Sequence, residues 1–279
     1  HTRWKRVTGV QRVLFRSVTE LPWDEKTGTL RRDLAAGMMN PACKRAVEAA
    51  LQIKEKQDAL ITVITMGPPV AEEVLREALA MGADRGILIC DPMLKGSDTY
   101  ATSFVLAEAI KKESPDCDLI LCGAYTSDSE TAQVGPQLAE ELSVPAAAYV
   151  ENLDISGRTL RVRRLVDHFR ETLEMDCPAL VTISMERYEP RYASFTGLNK
   201  AFMERDIAVL NAEVLGITAA SLEARGSRTK VRRVFIRKAQ KGNVMITGAA
   251  ANAVGEFLDK YQRKISAVIG KSIEAKNQT

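Results

Sequence analysis

Chemistry has few places to sit in this chain. There are two histidines, His1 and His168, and five cysteines, Cys43, Cys90, Cys117, Cys122 and Cys177, scattered without a CxxC or His-rich spacing. A hydrolytic mechanism would rest on His168, or on Cys43 as nucleophile, with no base–orienter partner in view. The thiols fit neither a disulfide framework nor a zinc site and read as reduced core residues. What remains are three places where a strand-like run gives way to a helix start. The richest is Gly123-Ala124-Tyr125-Thr126-Ser127-Asp128-Ser129-Glu130-Thr131-Ala132-Gln133-Val134-Gly135-Pro136. It combines hydroxyls and acids with main-chain N–H groups at a helix N-terminus, where unpaired donors carry the positive end of the helix dipole and suit a phosphate. Asp128 and Glu130 can hold ribose hydroxyls or cap the helix. A plain helix start capped by Ser129 or Thr131 fits the spacing equally well. No Walker lysine follows, so the segment is not a P-loop.

Two weaker candidates accompany it. The turn Thr65-Met66-Gly67-Pro68 would let a ligand approach the backbone at Gly67, although a plain glycine turn accounts for it by itself. Asn40-Pro41-Ala42-Cys43 opens a helix with Pro at its first position and Asn as the expected cap. The three gain weight together if one sheet edge brings them side by side.

The elements needed for that are legible. Ala59–Met66 (ALITVITM), Gly86–Cys90 and Asp118–Cys122 are unbroken apolar runs, as strands covered on both faces should be. Helical periods run from Pro41 to about Lys56, Val70 to Met81, Thr99 to Lys112 and Thr131 to Leu142. This alternation implies right-handed crossovers and a Rossmann-like, doubly wound, mostly parallel α/β sheet, whose ligands bind beyond the carboxyl ends of the strands. After Pro145 three strands with short links, Tyr149–Ile155, Thr159–Val166 and Ala179–Met185, suggest an antiparallel extension. Asp24–Gly28 reads as a hairpin turn, 201–215 as mixed, 220–229 as a linker, Lys230–Ile236 as a strand, and Ala249–Ile269 as a long amphipathic helix in a C-terminal arm.

Composition narrows the class. The 279 residues are 46% hydrophobic and 27% charged with a formal net charge of +3, which implies neither nucleic acid nor a membrane surface as partner. No stretch approaches the roughly 20 apolar residues that cross a bilayer, and a cytoplasmic protein is expected. Residues 1–17 are basic and free of acid. They could be a transit peptide or a short strand around Val10, Val13, Leu14 and Phe15, but VTGVQRVLFRS resembles translated adapter sequence. The segment is therefore read as non-native. On this reading 18–190 is the α/β domain that carries the candidate phosphate-binding helix starts, and 191–279 a separate segment ending in the C-terminal arm.

The stretch DLILCGAYTSDSETAQVGP (118–136), the upstream Asn40-Pro41, ALAMGADRG (78–86), EPRYA (189–193) and GSRTKV (226–231) together resemble the electron-transfer flavoprotein beta-subunit (FixA) family, from about Val18 nearly to the end. The resemblance implies an adenine-nucleotide alpha-hydrolase-like fold and a heterodimer with an alpha subunit that holds most of an FAD. It also implies a second adenine nucleotide in this subunit, either AMP or, in electron-bifurcating members, a second FAD. Its contacts would be Asn40, Pro41, Ala42 and Cys43, then Met66, and the run Gly123 to Val134, with Asp128, Ser129, Glu130, Thr131 and Gln133 foremost. Electrons would come from an acyl-CoA dehydrogenase of fatty acid oxidation, a similar flavoprotein, or NADH. The family's recognition loop falls on 191–200, with Arg191, Tyr192, Phe195, Leu198 and Lys200 facing the partner and Phe195 at the place of the usual leucine anchor. Phe195 buried in the core is the competing reading. The arm would pack on the alpha subunit.

Three departures stand out. The family's central first strand and its following loop are replaced by residues 1–17, an acid-Gly-acid pattern becomes Asp128-Ser129-Glu130, and a usual proline is Arg228. A stand-alone adenine-nucleotide module of the universal-stress type is the alternative, but it would not need the chain beyond Pro190.

Overall fold

Alternating apolar and amphipathic segments build a doubly wound sheet. The computed structural model describes residues 7–15, 23–24, 29–30, 37–125, 130–229 and 245–276, with side chains over 38–125, 130–229 and 245–267. The chain divides into two compact units, 1–233 and 234–279, so the sequence boundary at 190/191 falls inside the first.

In that unit β1 (Val7–Phe15) is followed by the small antiparallel pair β2 (Trp23–Asp24) and β3 (Thr29–Leu30), which forms the expected hairpin. Next come β4 (Gly37–Met39), α1 (Pro41–Lys56), β5 (Ile61–Met66), α2 (Glu72–Met81), β6 (Arg85–Ile89), α3 (Thr99–Glu113), β7 (Leu119–Gly123) and α4 (Val134–Leu142). The meander β8 (Ala146–Ser156), β9 (Thr159–Val166) and β10 (Phe169–Asp176) leads into β11 (Ala179–Ile183). The unit continues through α5 (Phe195–Met203), β12 (Ile207–Leu210) and α6 (Ala219–Arg225).

Strand order in the main sheet is β10-β9-β8-β11-β7-β1-β5-β6-β12. Pairing is parallel from β8 through β11, β7, β1, β5 and β6 to β12, and antiparallel for β8–β9 and β9–β10. One hydrophobic core, with Ala46, Ala50, Leu75 and Leu79, packs α1 and α2 on one face; another, with Phe104, Val105, Leu106 and Leu138, packs α3 and α4 on the other. This is the layering that crossover handedness requires.

Val7–Phe15, inside the segment read as non-native, stands at the middle of this sheet. Val10 pairs with Ile64 of β5 on one side and with Cys122 of β7 on the other. The part paired by both β5 and β7 is Val7–Val10, in which three of four residues are β-branched, as suits a doubly paired strand. Connections from β1 run one way through β5 and β6, and the other way through β7 and β11. The strand order therefore reverses at the β1/β7 boundary, and such a switch point opens a crevice at the carboxyl edge.

The second unit contains α7 (Ala250–Lys276), in which Phe257 and Tyr261, one turn apart, bring their ring centroids within 5.2 Å. The strand expected over Lys230–Ile236 lies outside the described residues.

Candidate functional site

The site is built at the reversal. Register places Cys122 level with Ile64, both opposite Val10, so Ala124 and Met66 stand level at the same edge on either side of β1. β4 runs antiparallel to the end of β1, Val13 opposite Met39, and delivers the chain to the start of α1 at this edge. The start of α1 then meets the end of β7. Asn40, almost fully buried, donates from Nδ2 to the Tyr125 carbonyl at 2.7 Å and to Cys43 Sγ at 3.1 Å. Gly123 lies against the first turn of α1: a Cβ there would stand 2.5 Å from Cys43 N and 2.6 Å from the Ala42 carbonyl carbon. Only glycine permits that approach.

Asn40 does not cap α1, contrary to the expectation from sequence. Its side chain makes no capping hydrogen bond; its Nδ2 is aimed instead at the Tyr125 carbonyl and Cys43 Sγ, tying two segments together. Asn40 thus supplies no side-chain acceptor to the first turn of α1, and no acid lies in that turn. The start of α4 is similar. It begins at Val134, three residues later than the period suggests; neither Ser129 nor Thr131 is its N-cap residue, Gln133 occupying that place without a capping bond, and its first turn is also acid-free. Before it, Glu130 and Ala132 hold positive φ values of 47° and 53° and Gln133 is right-handed. This alternation can turn successive N–H groups toward one anion, and two non-glycine residues in that region carry local strain. Gln133 is tied by its Oε1 to the Thr99 hydroxyl at the start of α3, 2.8 Å away. Two helix starts with acid-free first turns, neither capped by its own N-cap side chain, form a suitable place for a phosphate.

The third start differs. Gly67 already donates its N–H to the Ile89 carbonyl at 3.0 Å. A short 3-10 turn (Pro69–Ala71) precedes α2, whose first turn carries Glu72 and Glu73. An anion is disfavoured there. Met66 itself, half-buried, packs against the core on the α3/α4 side of the sheet, as Val134 does, within roughly two strand spacings (~10 Å) of Ala124.

Of the remaining sequence candidates, Pro41 is exposed, Ala42, Cys43 and Ala124 are buried, and Glu130, Thr131 and Gln133 are exposed. Thr126, Ser127, Asp128 and Ser129 lie outside the described residues. Burial pushes the Cys122 thiol far up, and neighbouring Cys43 adds to the shift, so this thiol is no nucleophile. His168 lies exposed between β9 and β10, whereas Cys43 is on α1. Thr99 escaped sequence reasoning, since nothing in its local pattern links it to Gln133.

The segment expected to face a partner splits in two. Tyr192 and Phe195 are 95% and 88% exposed, and Leu198, Lys200, Phe202 and Met203 are exposed along α5. Arg191 turns inward. Its Nε and Nη2 bind the two oxygens of Glu48, each at 2.8 Å, and its Nη1 binds Glu55 at 2.6 Å. Burial pushes the Glu48 carboxyl up, but hydrogen bonds from Arg191 and Gln52 outweigh burial and hold it below the ordinary glutamate range.

A family model described as the electron transfer flavoprotein domain matches residues 27–215. The chain belongs to the electron transfer flavoprotein family, on its beta-subunit/FixA branch. It is 38% identical over 245 residues to the electron transfer flavoprotein subunit beta of Thermoanaerobacterium thermosaccharolyticum, covering 88% of this chain and 94% of that one. It is 40% identical over 247 residues to the caffeyl-CoA reductase-Etf complex subunit CarD of Acetobacterium woodii, with 88% and 94% covered. Protein FixA of Azorhizobium caulinodans is 35% identical over 247 residues, with 85% and 88% covered. The flavoprotein family match includes β5 and β7, which flank β1, and the helices α1 and α4, but begins after β1 itself. Among the described residues no helix is long and apolar enough to cross a membrane.

Proposed function

We propose that this chain is the electron-transferring beta subunit of a heterodimer, holding an adenine nucleotide between the starts of α1 and α4. The observation that carries the reading is that these two helix starts, whose N-cap residues give no side-chain cap and whose first turns hold no acid, stand at the topological switch point. An adenylate phosphate would face main-chain donors of α1 and α4, while Asn40 and Gly123 keep the first of these beside the end of β7. Asp128 and Glu130 are suited to ribose hydroxyls, as carboxylates near the phosphate itself would repel it.

AMP and FAD share the adenylate half, and the same residues suit either. The alpha subunit would hold most of an FAD; flavin supplies the redox chemistry, and this chain positions and shields it. Electrons would enter from an acyl-CoA dehydrogenase or a similar flavoprotein docking at Tyr192 and Phe195, whose exposed rings are suited to act as hot spots. In keeping with a partner of CoA-ester chemistry, the relative from Acetobacterium woodii is named as part of a caffeyl-CoA reductase complex. The stand-alone nucleotide module is not favoured: β12 and α5, beyond Pro190, are built into the first unit, β12 as an edge strand of its sheet.

Purifying the chain with its alpha subunit and counting adenylate and flavin per heterodimer tests this reading. One FAD plus one AMP identifies a simple carrier, and two FAD a bifurcating one. A heterodimer with neither AMP nor a second FAD would refute the nucleotide site, and a homodimer binding ATP would restore the alternative.

A further inference from the structure

The geometry points to Glu48 and Arg191 as the positioning pair that fixes the partner-docking segment onto α1, the same helix whose start forms the nucleotide site. This inference rests on the docking role proposed above for Tyr192 and Phe195. Glu48 lies on the middle turns of α1, its side chain only 4% exposed. Arg191 gives it three hydrogen bonds, from the main-chain N (3.2 Å), Nε and Nη2 (both 2.8 Å), and adds a fourth to Glu55 one turn pair further on. Arg45, one turn before Glu48, donates to the Arg187 carbonyl at 2.9 Å and to Glu189 at 3.1 Å. The chain is thus fastened along α1 up to Arg191, and the next residue, Tyr192, is 95% exposed.

A planar guanidinium meeting both carboxylate oxygens fixes orientation as well as distance, which a lysine ammonium cannot do. Removing Arg191 strands the buried Glu48 carboxylate, and removing Glu48 leaves the half-buried guanidinium with Glu55 as its remaining partner, so the segment has one favourable seat. The far end of the display is held too. Gly197 brings α5 so close to α2 that a Cβ would clash with the Ala80 carbonyl oxygen, and Arg76 donates to the Ala201 and Arg205 carbonyls. Tyr192 and Phe195 sit between these fastenings. Arg191, its side chain 36% exposed but committed to Glu48 and Glu55, therefore acts through its neighbours by fixing where Tyr192 and Phe195 stand.

The test uses the heterodimer with its alpha subunit and three variants, Glu48→Gln, Arg191→Lys and Phe195→Ala. Each is assayed for reduction by an acyl-CoA dehydrogenase, with KM for the heterodimer, kcat, bound adenylate and thermal midpoint recorded. Phe195→Ala should raise KM about 10-fold or more as a lost hot spot. Glu48→Gln and Arg191→Lys should each raise it about 3- to 10-fold, at unchanged kcat and unchanged adenylate content. An unchanged KM in both latch variants, beside a raised KM in Phe195→Ala, overturns the positioning role and leaves docking intact. An unchanged KM in Phe195→Ala overturns docking and this inference with it. Loss of adenylate in step with KM would show a general loosening of α1 and also overturn it. If Glu48→Gln fails to fold, Arg191→Lys, which keeps the charge, carries the test.

Discussion

Replacing Gly123 by alanine separates the nucleotide reading from a merely structural one. The added Cβ would stand 2.5 Å from Cys43 N, 2.6 Å from the Ala42 carbonyl carbon and 2.9 Å from Ala42 Cβ. Non-bonded contacts of this kind need about 3.5 Å, so the helix start must retreat by about 1 Å. Two of the three obstructing atoms are backbone, inside a helix whose Ala42, Ala46, Ala49 and Ala50 are buried, and cannot swing aside as a long side chain would. Overpacking of this kind costs about 1–3 kcal/mol. At roughly 2–4 °C per kcal/mol for a unit of this size, the thermal midpoint should fall by about 2–12 °C. The same retreat stretches the Asn40–Tyr125 hydrogen bond of 2.7 Å and turns the first-turn donors away from α4. Adenylate retained by the purified heterodimer should fall by more than the loss in folded protein. The assay is nucleotide content per heterodimer after denaturation, beside a melting curve. Gly255→Ala, where a Cβ meets nothing within 4 Å, is the control and should lose neither. A Gly123→Ala heterodimer with full adenylate and an unchanged midpoint would refute the claimed convergence of the two segments.

Other outcomes follow from the same contacts. Asn40→Asp keeps the shape but places a carboxylate against the Tyr125 carbonyl and the phosphate site, and should lower adenylate retention about 10-fold or more, a repulsive change of about 1–3 kcal/mol; dialysis followed by nucleotide assay reads it. Asp98 accepts from the N–H groups of Ala101, Arg228 and Thr229 and from the Thr229 hydroxyl, so Asp98→Ala should destabilise the first unit by about 1–2 kcal/mol in denaturant titration, the range of a lost helix cap. The Glu48 carboxyl, raised by burial but lowered further by Arg191 and Gln52, titrates below its ordinary range. Its contribution is therefore complete above the unfolded-state value and fades as pH drops through the folded one, and the midpoint gap between the native chain and Glu48→Gln should hold down to about pH 5 and close below it. Gly197→Ala, whose Cβ would clash with the Ala80 carbonyl, should raise KM for the redox partner through a displaced α5 while leaving adenylate in place.

What was legible in the sequence was the part governed by unbroken apolar runs. ALITVITM had to be a strand covered on both faces, and Ile61–Val63 and Ile64 are fully buried or nearly so. What was hidden was the part held by pairwise contacts. β10 has no apolar run, because an edge strand with both faces partly wet can alternate freely; it is aligned by Arg161 opposite Glu174 and Arg164 opposite Glu171. α5 and β12 are short and sit in mixed composition, so their placement follows from Ser194 accepting at Gly197 N and from pairing with β6. α6, expected as a linker, is started by a reciprocal capping box between Thr218 and Ser221. At the site, Asn40 carried the commonest meaning of an Asn before Pro, a cap, yet tertiary contact across 85 residues redirected its amide to Tyr125. Arg191 lay in a motif with a family meaning, and only a carboxylate 143 residues away revealed its inward role.

These long-range contacts share one element. Helix α1 meets the end of β7 at its first turn, is gripped by Arg45 and Arg191 along its outer side, and closes through Lys54 on Asp84 at 2.5 Å. Asp84 in turn accepts the Ile61 N–H at 2.9 Å, fixing the helix end to the strand that follows it. A functional geometry is kept to small tolerances when it is carried by a regular element whose neighbours lock it, and α1 has such locks at both ends and along its length. The buried face, rich in alanine, lets it lie close to the sheet, so that little slack remains for it to rock. A nucleotide at one end of this helix and a docking segment along its side are therefore related by one rigid body. Weakening any single lock should change partner binding and adenylate binding unequally, according to which end of the helix it holds.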